Sequence, residues 1–258
     1  MSDPPLAALS GALGLTPATL AFAVAVVLLA AVVRGYSGFG FSAIVVTGLT
    51  LALPPAEVVP VALLLEIAAS FGMLRGVWAA ISWRLVRWLM LGAALGMPAG
   101  FLLLGAVPAD AMRAVISASV LAFSLLLWRG FRLRGAPGGA GTFATGVASG
   151  VANGSAAIGG LPVVLFLLSS ATAAAMTRAT LIFYFMVGDV YGTAVAWANG
   201  LVVGQTLARA AVLLLPLFLG IALGNRRFLR SPPETFRRLA LLLLMALAAL
   251  GLLRAAVF

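Results

Sequence analysis

Read for its apolar and polar positions, the chain is a series of hydrophobic runs separated by short turns that carry arginine, proline or glycine. The runs cover residues 20–33, 41–53, 57–74, about 88–104 and 112–128, then 142–148, 156–168, about 177–197, 201–223 and 236–253. None alternates apolar with polar residues, so they predict helices rather than barrel strands. Most are close to the roughly 20 residues that a helix needs to cross a bilayer, but 20–33, 41–53, 142–148 and 156–168 fall short. The first pair reads either as a re-entrant helical hairpin or as two short spans.

The short runs lie beside two interruptions. One is Val33-Arg34-Gly35-Tyr36-Ser37-Gly38-Phe39-Gly40-Phe41-Ser42. The other is Ser149-Gly150-Val151-Ala152-Asn153-Gly154-Ser155, followed by Gly159-Gly160-Leu161-Pro162. Non-helical backbone at membrane depth persists only where it is buried or lines a cavity. Both interruptions are therefore expected inside the protein.

Composition supports this reading. Of 258 residues, 64% are hydrophobic and 9% charged, and the mean hydropathy is +1.20, which excludes a soluble domain of ordinary size and identifies an integral membrane protein. The net charge of +10 would suggest nucleic acid in a soluble protein. Here the basic residues, all sixteen of them arginine, are expected in loops, where they orient helices by the positive-inside rule. Residues 1–17 carry no base before the first run, so the N-terminus does not read as a cleaved signal peptide.

With no cysteine and no histidine, the chain lacks thiolate chemistry, imidazole proton relays and the usual metal ligands. Six carboxylates remain: Asp3, Glu57, Glu66, Asp110, Asp189 and Glu234. There is no phosphate-binding loop. The expectations are no enzyme, no cofactor, no metal and no nucleic acid, with a small anion and the lipid bilayer as partners and a homo-oligomer left open.

An internal repeat divides the chain. Gly96, Gly100, Pro108, Asp110 and Arg113 align with Gly220, Gly224, Pro232, Glu234 and Arg237 at one offset of 124, and the interruptions align at 115. The cut falls in the glycine- and proline-rich linker at 135–141, which gives halves at 1–134 and 142–258. Arg75, Arg84 and Arg87, and then Arg129, Arg132 and Arg134, place two loops in the cytoplasm, so the turn at Pro108 lies outside. Its counterpart at Pro232 is flanked by Arg226, Arg227, Arg230, Arg237 and Arg238, and so lies inside. Equivalent turns on opposite sides make the repeats inverted, with both termini periplasmic. Arg113, Arg209 and Arg254 do not fit this rule. The expected fold is all-α, with two inverted-topology repeats, each a broken or re-entrant helix pair followed by three transmembrane helices.

Inverted repeats with broken helices at matching positions point to a secondary transporter with its site near the midplane. A helix that starts inside the membrane presents unpaired N–H groups and a partial positive charge, which together attract an anion. The candidate ligands are Arg34, Tyr36, Ser37, Gly38, Phe39, Gly40 and Ser42 from the first interruption. Asn153, Gly154, Ser155, Gly159 and Gly160 come from the second. The alternative reading of the glycines is close helix packing, and Arg34 reads equally as a topology residue. Glu66 and Asp189 fall near the middles of equivalent helices, where an ionised acid costs about 3 kcal/mol. They are candidates for proton coupling, the alternative being an ion pair with Arg34 or Arg178. Tyr184, Tyr191 and Asn199 flank Asp189.

The pattern of apolar helix, glycine-rich break and second short helix, once per half, resembles the TauE/SafE sulfite-exporter family over nearly the whole chain. Ser149-Gly150 to Gly154, then Gly159-Gly160-Leu161-Pro162, is the nearer match to the family's motif. The first interruption keeps glycines but lacks consecutive glycines and the proline. The resemblance implies transport of sulfite, sulfonates or related organic anions across the bacterial inner membrane, commonly outward. An uncoupled anion channel is the alternative.

Overall fold

A computed structural model of the protein describes residues 13–37, 39–74, 76–131, 138–170, 173–228 and 233–257. For Tyr36, Ser37, Ala174, 226–228, 233–240 and Val257 it describes the backbone course alone. Gly38, Arg75, Arg132, Arg134, Arg230 and Pro232 lie outside the described residues. Among the described residues ten α-helices are delimited. They are α1 (Pro17–Ser37), α2 (Phe41–Leu49), α3 (Pro55–Leu74), α4 (Trp83–Ala106), α5 (Ala109–Trp128), α6 (Gly139–Ala156), α7 (Gly160–Ser169), α8 (Ala174–Ala198), α9 (Gly204–Phe228) and α10 (Pro233–Val257). Among the described residues there is no strand.

Among the described residues, six segments are long and apolar enough to cross a membrane: Pro17–Gly35, Pro55–Leu74, Trp83–Ala106, Ala109–Trp128, Ala175–Ala198 and Gly204–Asn225. Their outward faces carry exposed large side chains such as Leu91, Leu95, Leu102, Leu215 and Leu219. A soluble protein would aggregate through such a surface, whereas a bilayer solvates it. Pro60, Pro98 and Pro216 stand inside helices, as neighbouring helices in membrane proteins allow.

Both interruptions are shorter than the sequence suggests and lie further along the chain. Helix α1 continues through Arg34, Gly35 and Tyr36 to Ser37, and α6 continues through Ser149–Ser155 to Ala156. Among the described residues of these two stretches, the chain is out of the helix at 39–40 and 157–159. The reason is packing. A Cβ added at Gly150 would meet the carbonyl oxygen of Ala93 and lie 2.9 Å from Met97 N, and one at Gly100 would lie 2.8 Å from Ser155 N. Glycines that look like breakers thus let α4 and α6 approach backbone to backbone, which offsets their low helix propensity of about 1 kcal/mol each. Gly35 and Gly220 do the same for α1 and α9, where added Cβ atoms would meet Ile221 Cα at 3.0 Å and Val32 N at 3.1 Å.

Four helix pairs carry most of the packing: α4 with α6, α9 with α1, α5 with α10, and α3 with α8. Helices α2 and α7, nine and ten residues long, are too short to cross, and they sit inside this frame with most of their residues buried. Helix α1 is a full span, so the first pair is a span followed by a short buried helix, not two short spans.

Two of the three misplaced arginines have partners. Arg209 donates to Glu57 Oε2 at 2.6 Å and to the Leu13 carbonyl at 2.9 Å. Arg113 donates to the Thr50 carbonyl at 2.8 Å and pairs with Asp110. These contacts tie together the end of α2 and the starts of α3, α5 and α9. Arg113 and Arg209 are therefore fixed by partners rather than free to count for topology.

Candidate functional site

The breaks meet. Gly40 takes a left-handed conformation (φ 88°) and leads into α2, whose first helical bond runs from Ile44 N to the Gly40 carbonyl at 3.1 Å. A side chain at that φ is strained, so glycine suits the position. In the second break Ala157 is also left-handed (φ 51°), and its N–H closes α6 on the Asn153 carbonyl at 2.7 Å. Helix α7 then starts at Gly160. The starts of α2 and α7 share one small cavity of about 20 Å³, lined by Phe39, Gly40, Ser42 and Ala43 on one side and Ala157, Ile158, Gly160 and Leu161 on the other. Such helix starts present N–H groups without helical partners.

Charged side chains from the long helices complete the lining. Arg34, near the end of α1, is 1% exposed, and Glu66 of α3 is 3% exposed; the two form an ion pair. Arg34 Nη2 also donates to Ser70 Oγ at 2.7 Å, and its guanidinium lies 5.3 Å from the centre of the Phe185 ring. Ser42 Oγ donates to Glu66 Oε2 at 2.6 Å. Opposite, Asn153 Nδ2 donates to Asp189 Oδ1 at 2.8 Å, and Gly159 N–H donates to Asn153 Oδ1 at 3.3 Å. Asp189 is itself 3% exposed. With both acids ionised, the cavity carries one positive and two negative charges, all removed from water.

Of the residues expected at a site, Arg34, Phe39, Gly40, Ser42, Glu66, Asn153, Gly160 and Asp189 line this cavity. Arg34 and Glu66 form the ion pair that the sequence had left as the alternative. Gly154 instead packs on α4, where an added Cβ would lie 2.9 Å from Phe101 N. Ser155 donates to the Val151 carbonyl at 2.8 Å and faces a separate apolar cavity of about 380 Å³ between α5, α6 and α7. Gly159 lies just behind the lining, its carbonyl accepting from Ser149 at 2.5 Å. With that proton used, Tyr184 donates to Ser149 Oγ at 2.6 Å. Tyr191 donates to the Ala94 carbonyl at 3.1 Å, and Asn199 closes the end of α8 through the Val195 carbonyl at 2.8 Å, so neither serves the cavity. The side chains of Tyr36 and Ser37, and all of Gly38, lie outside the described residues.

Phe185 and Ser70 were not foreseen. Both stand four residues from a recognised acid, Phe185 before Asp189 and Ser70 after Glu66, and so on the same helix face. That spacing is the signal that could have found them.

Long apolar helices thus surround two short buried ones, with paired charges where those short helices start. The model of the sulfite exporter TauE/SafE family matches residues 23–250, and the chain belongs to that family. It is thus a multi-pass membrane protein of a transporter family. No curated protein and no solved structure matches the chain.

Proposed function

We propose that the protein is a secondary active transporter that moves a small sulfur-containing oxyanion (sulfite, a sulfonate or a related organic anion) by alternating access. The direction we propose is export across the bacterial inner membrane, with proton coupling through Asp189 and Glu66. The observation that carries this reading is the meeting of two helix starts at one cavity that also holds Arg34 and two buried carboxylates. Backbone N–H groups, Ser42 and Asn153 are short-range donors for sulfur-bound oxygens, and Arg34 supplies a planar fork that suits oxyanions. Tyr36 and Ser37, the last two residues of α1, and Gly38, next in the sequence, complete our proposed ligand set. The cavity has room for about one water molecule, less than a sulfur oxyanion with four or more heavy atoms requires. Transport therefore requires the breaks to move apart on one side of the membrane at a time.

Inverted repeats are part of the proposal; the helix pairings support a repeat, and the arginines support its inversion. Exchanging α1–α5 with α6–α10 turns the pairing of α4 with α6 into that of α9 with α1, and it maps α5 with α10 and α3 with α8 onto themselves. Arg84 and Arg87 in the first turns of α4 and Arg129 at the end of α5 favour the orientation with both termini periplasmic.

Flux of sulfite and of simple sulfonates into vesicles of purified protein tests the reading. Accumulation against a gradient supports coupled transport. Strictly downhill flux favours the uncoupled channel, and no flux of any sulfur oxyanion overturns the substrate class.

A further inference from the structure

We infer that the anion enters this cavity only together with a proton on Glu66, because Glu66 occupies the donors that the anion must use. The inference rests on the substrate reading above and goes further, fixing how ion and proton are linked.

Among the described residues, three side-chain donors line the cavity, and each serves one of the protein's own acids. Arg34 and Ser42 serve Glu66, and Asn153 serves Asp189. The carboxylates are thus internal anions seated where an external one would bind. Arg34 Nε, buried and without a hydrogen-bond partner among the described residues, is the donor left over on the fork. Charge decides the rest. With both acids ionised the cavity is net negative, and with Asp189 neutral it is uncharged; in either state an added anion out of reach of water brings a negative charge that little dielectric screening relieves. A proton arriving on Glu66 with each monoanion keeps the net charge of the cavity unchanged. It also turns Glu66 from a competitor for Arg34 into a neutral hydrogen-bonding group.

The charged groups facing Glu66 are Arg34 from α1 and Asp189 from α8. Helices α2, α6 and α7, which complete the cavity wall, carry no charged or titratable side chain. On α8, Tyr184 and Tyr191 are turned to Ser149 and Ala94, and Arg178 lies nearly three turns before Asp189. On the other helices packed against α3, Arg209 of α9 is held by Glu57, Arg113 of α5 pairs with Asp110, and Arg84 and Arg87 stand in the first turns of α4. Glu66, opposed directly to Arg34, is the acid whose protonation frees the cation.

The test is calorimetric titration of the purified protein near neutral pH, in two buffers of different ionisation enthalpy, with methanesulfonate and sulfite as probes. Methanesulfonate does not itself titrate in this range. The expected result is uptake of about one proton per methanesulfonate bound, with affinity weakening up to about tenfold per pH unit as pH rises. Glu66→Gln should take up about one proton fewer and lose that pH dependence. Binding by the unmutated protein without proton uptake overturns the inference and leaves the substrate reading standing, and this arm decides the matter even if the variant does not fold. A Glu66→Gln protein that takes up as many protons as the parent overturns it too. Failure of both probes to bind at any pH overturns the substrate reading, and the inference with it.

Discussion

Replacing Arg34 by methionine removes the cation from an ion pair in which neither partner is more than 3% exposed. The loss has two parts. Glu66 is left as a buried charge without its partner, which costs about 3–5 kcal/mol. Ser70 loses a hydrogen bond from a charged donor, worth about 1.5–3 kcal/mol in an ordinary context. Glu66→Met strands Arg34 in the same way. The double variant Arg34→Met/Glu66→Met behaves differently, because methionines of similar volume fill the space and the net charge of the cavity does not change. Replacing a buried pair together is neutral or stabilising by about 1–4 kcal/mol. A double-mutant cycle should therefore give a coupling energy of at least about 3 kcal/mol. Thermal or denaturant unfolding of the four proteins in one detergent measures it. Single variants that lose under about 1 kcal/mol, or effects that simply add, would refute a closed, desolvated pair.

Further expectations concern the frame and the second half of the cavity. Gly96→Ala places a methyl group against the Val147 carbonyl of α6 and should destabilise by about 1–3 kcal/mol, whereas Gly105→Ala on the same helix meets open space and should be tolerated; paired melting curves compare them. Asn153→Leu removes the partner of Asp189 Oδ1 and of the Gly159 N–H, so sulfite flux in vesicles should be lost, with a stability loss of about 1–3 kcal/mol; normal flux in the folded variant excludes Asn153 from the site. Arg209→Met should destabilise more than Glu57→Gln, because Arg209 also holds the Leu13 carbonyl while Glu57 is 44% exposed; equal melting temperatures would contradict this.

Helix existence was readable because it depends on the length and apolarity of a run. The runs at 57–74 and 112–128 became Pro55–Leu74 and Ala109–Trp128 with ends moved by two or three residues. Break positions were harder, because glycine and serine act in opposite ways in the two situations. At Ala157 the backbone turns left-handed and α6 ends, and at Gly40 it turns left-handed just before α2 starts. At Gly150 the same kind of residue lets α6 press on Ala93 and Met97 of α4, and the helix continues. A single sequence does not say which helix lies opposite, so it does not separate the two cases. For the same reason Arg34 and Glu66 were recognisable as costly charges at membrane depth, while the Ser70 and Phe185 contacts depended on how α1, α3 and α8 are rotated against one another. Gly154 and Ser155 show the reverse. Their chemistry suited a site, but the turn of α6 directs them to α4 and to the apolar cavity.

The account stands or falls on whether an oxyanion binds where the two breaks meet, at Arg34. Titration of Arg34→Met/Glu66→Met with sulfite and methanesulfonate tests this most directly, because the double variant removes the cation while keeping the fold and the net charge of the cavity. The account predicts a protein at least about as stable as its parent that binds neither anion. Parental affinity in that variant would place the anion elsewhere.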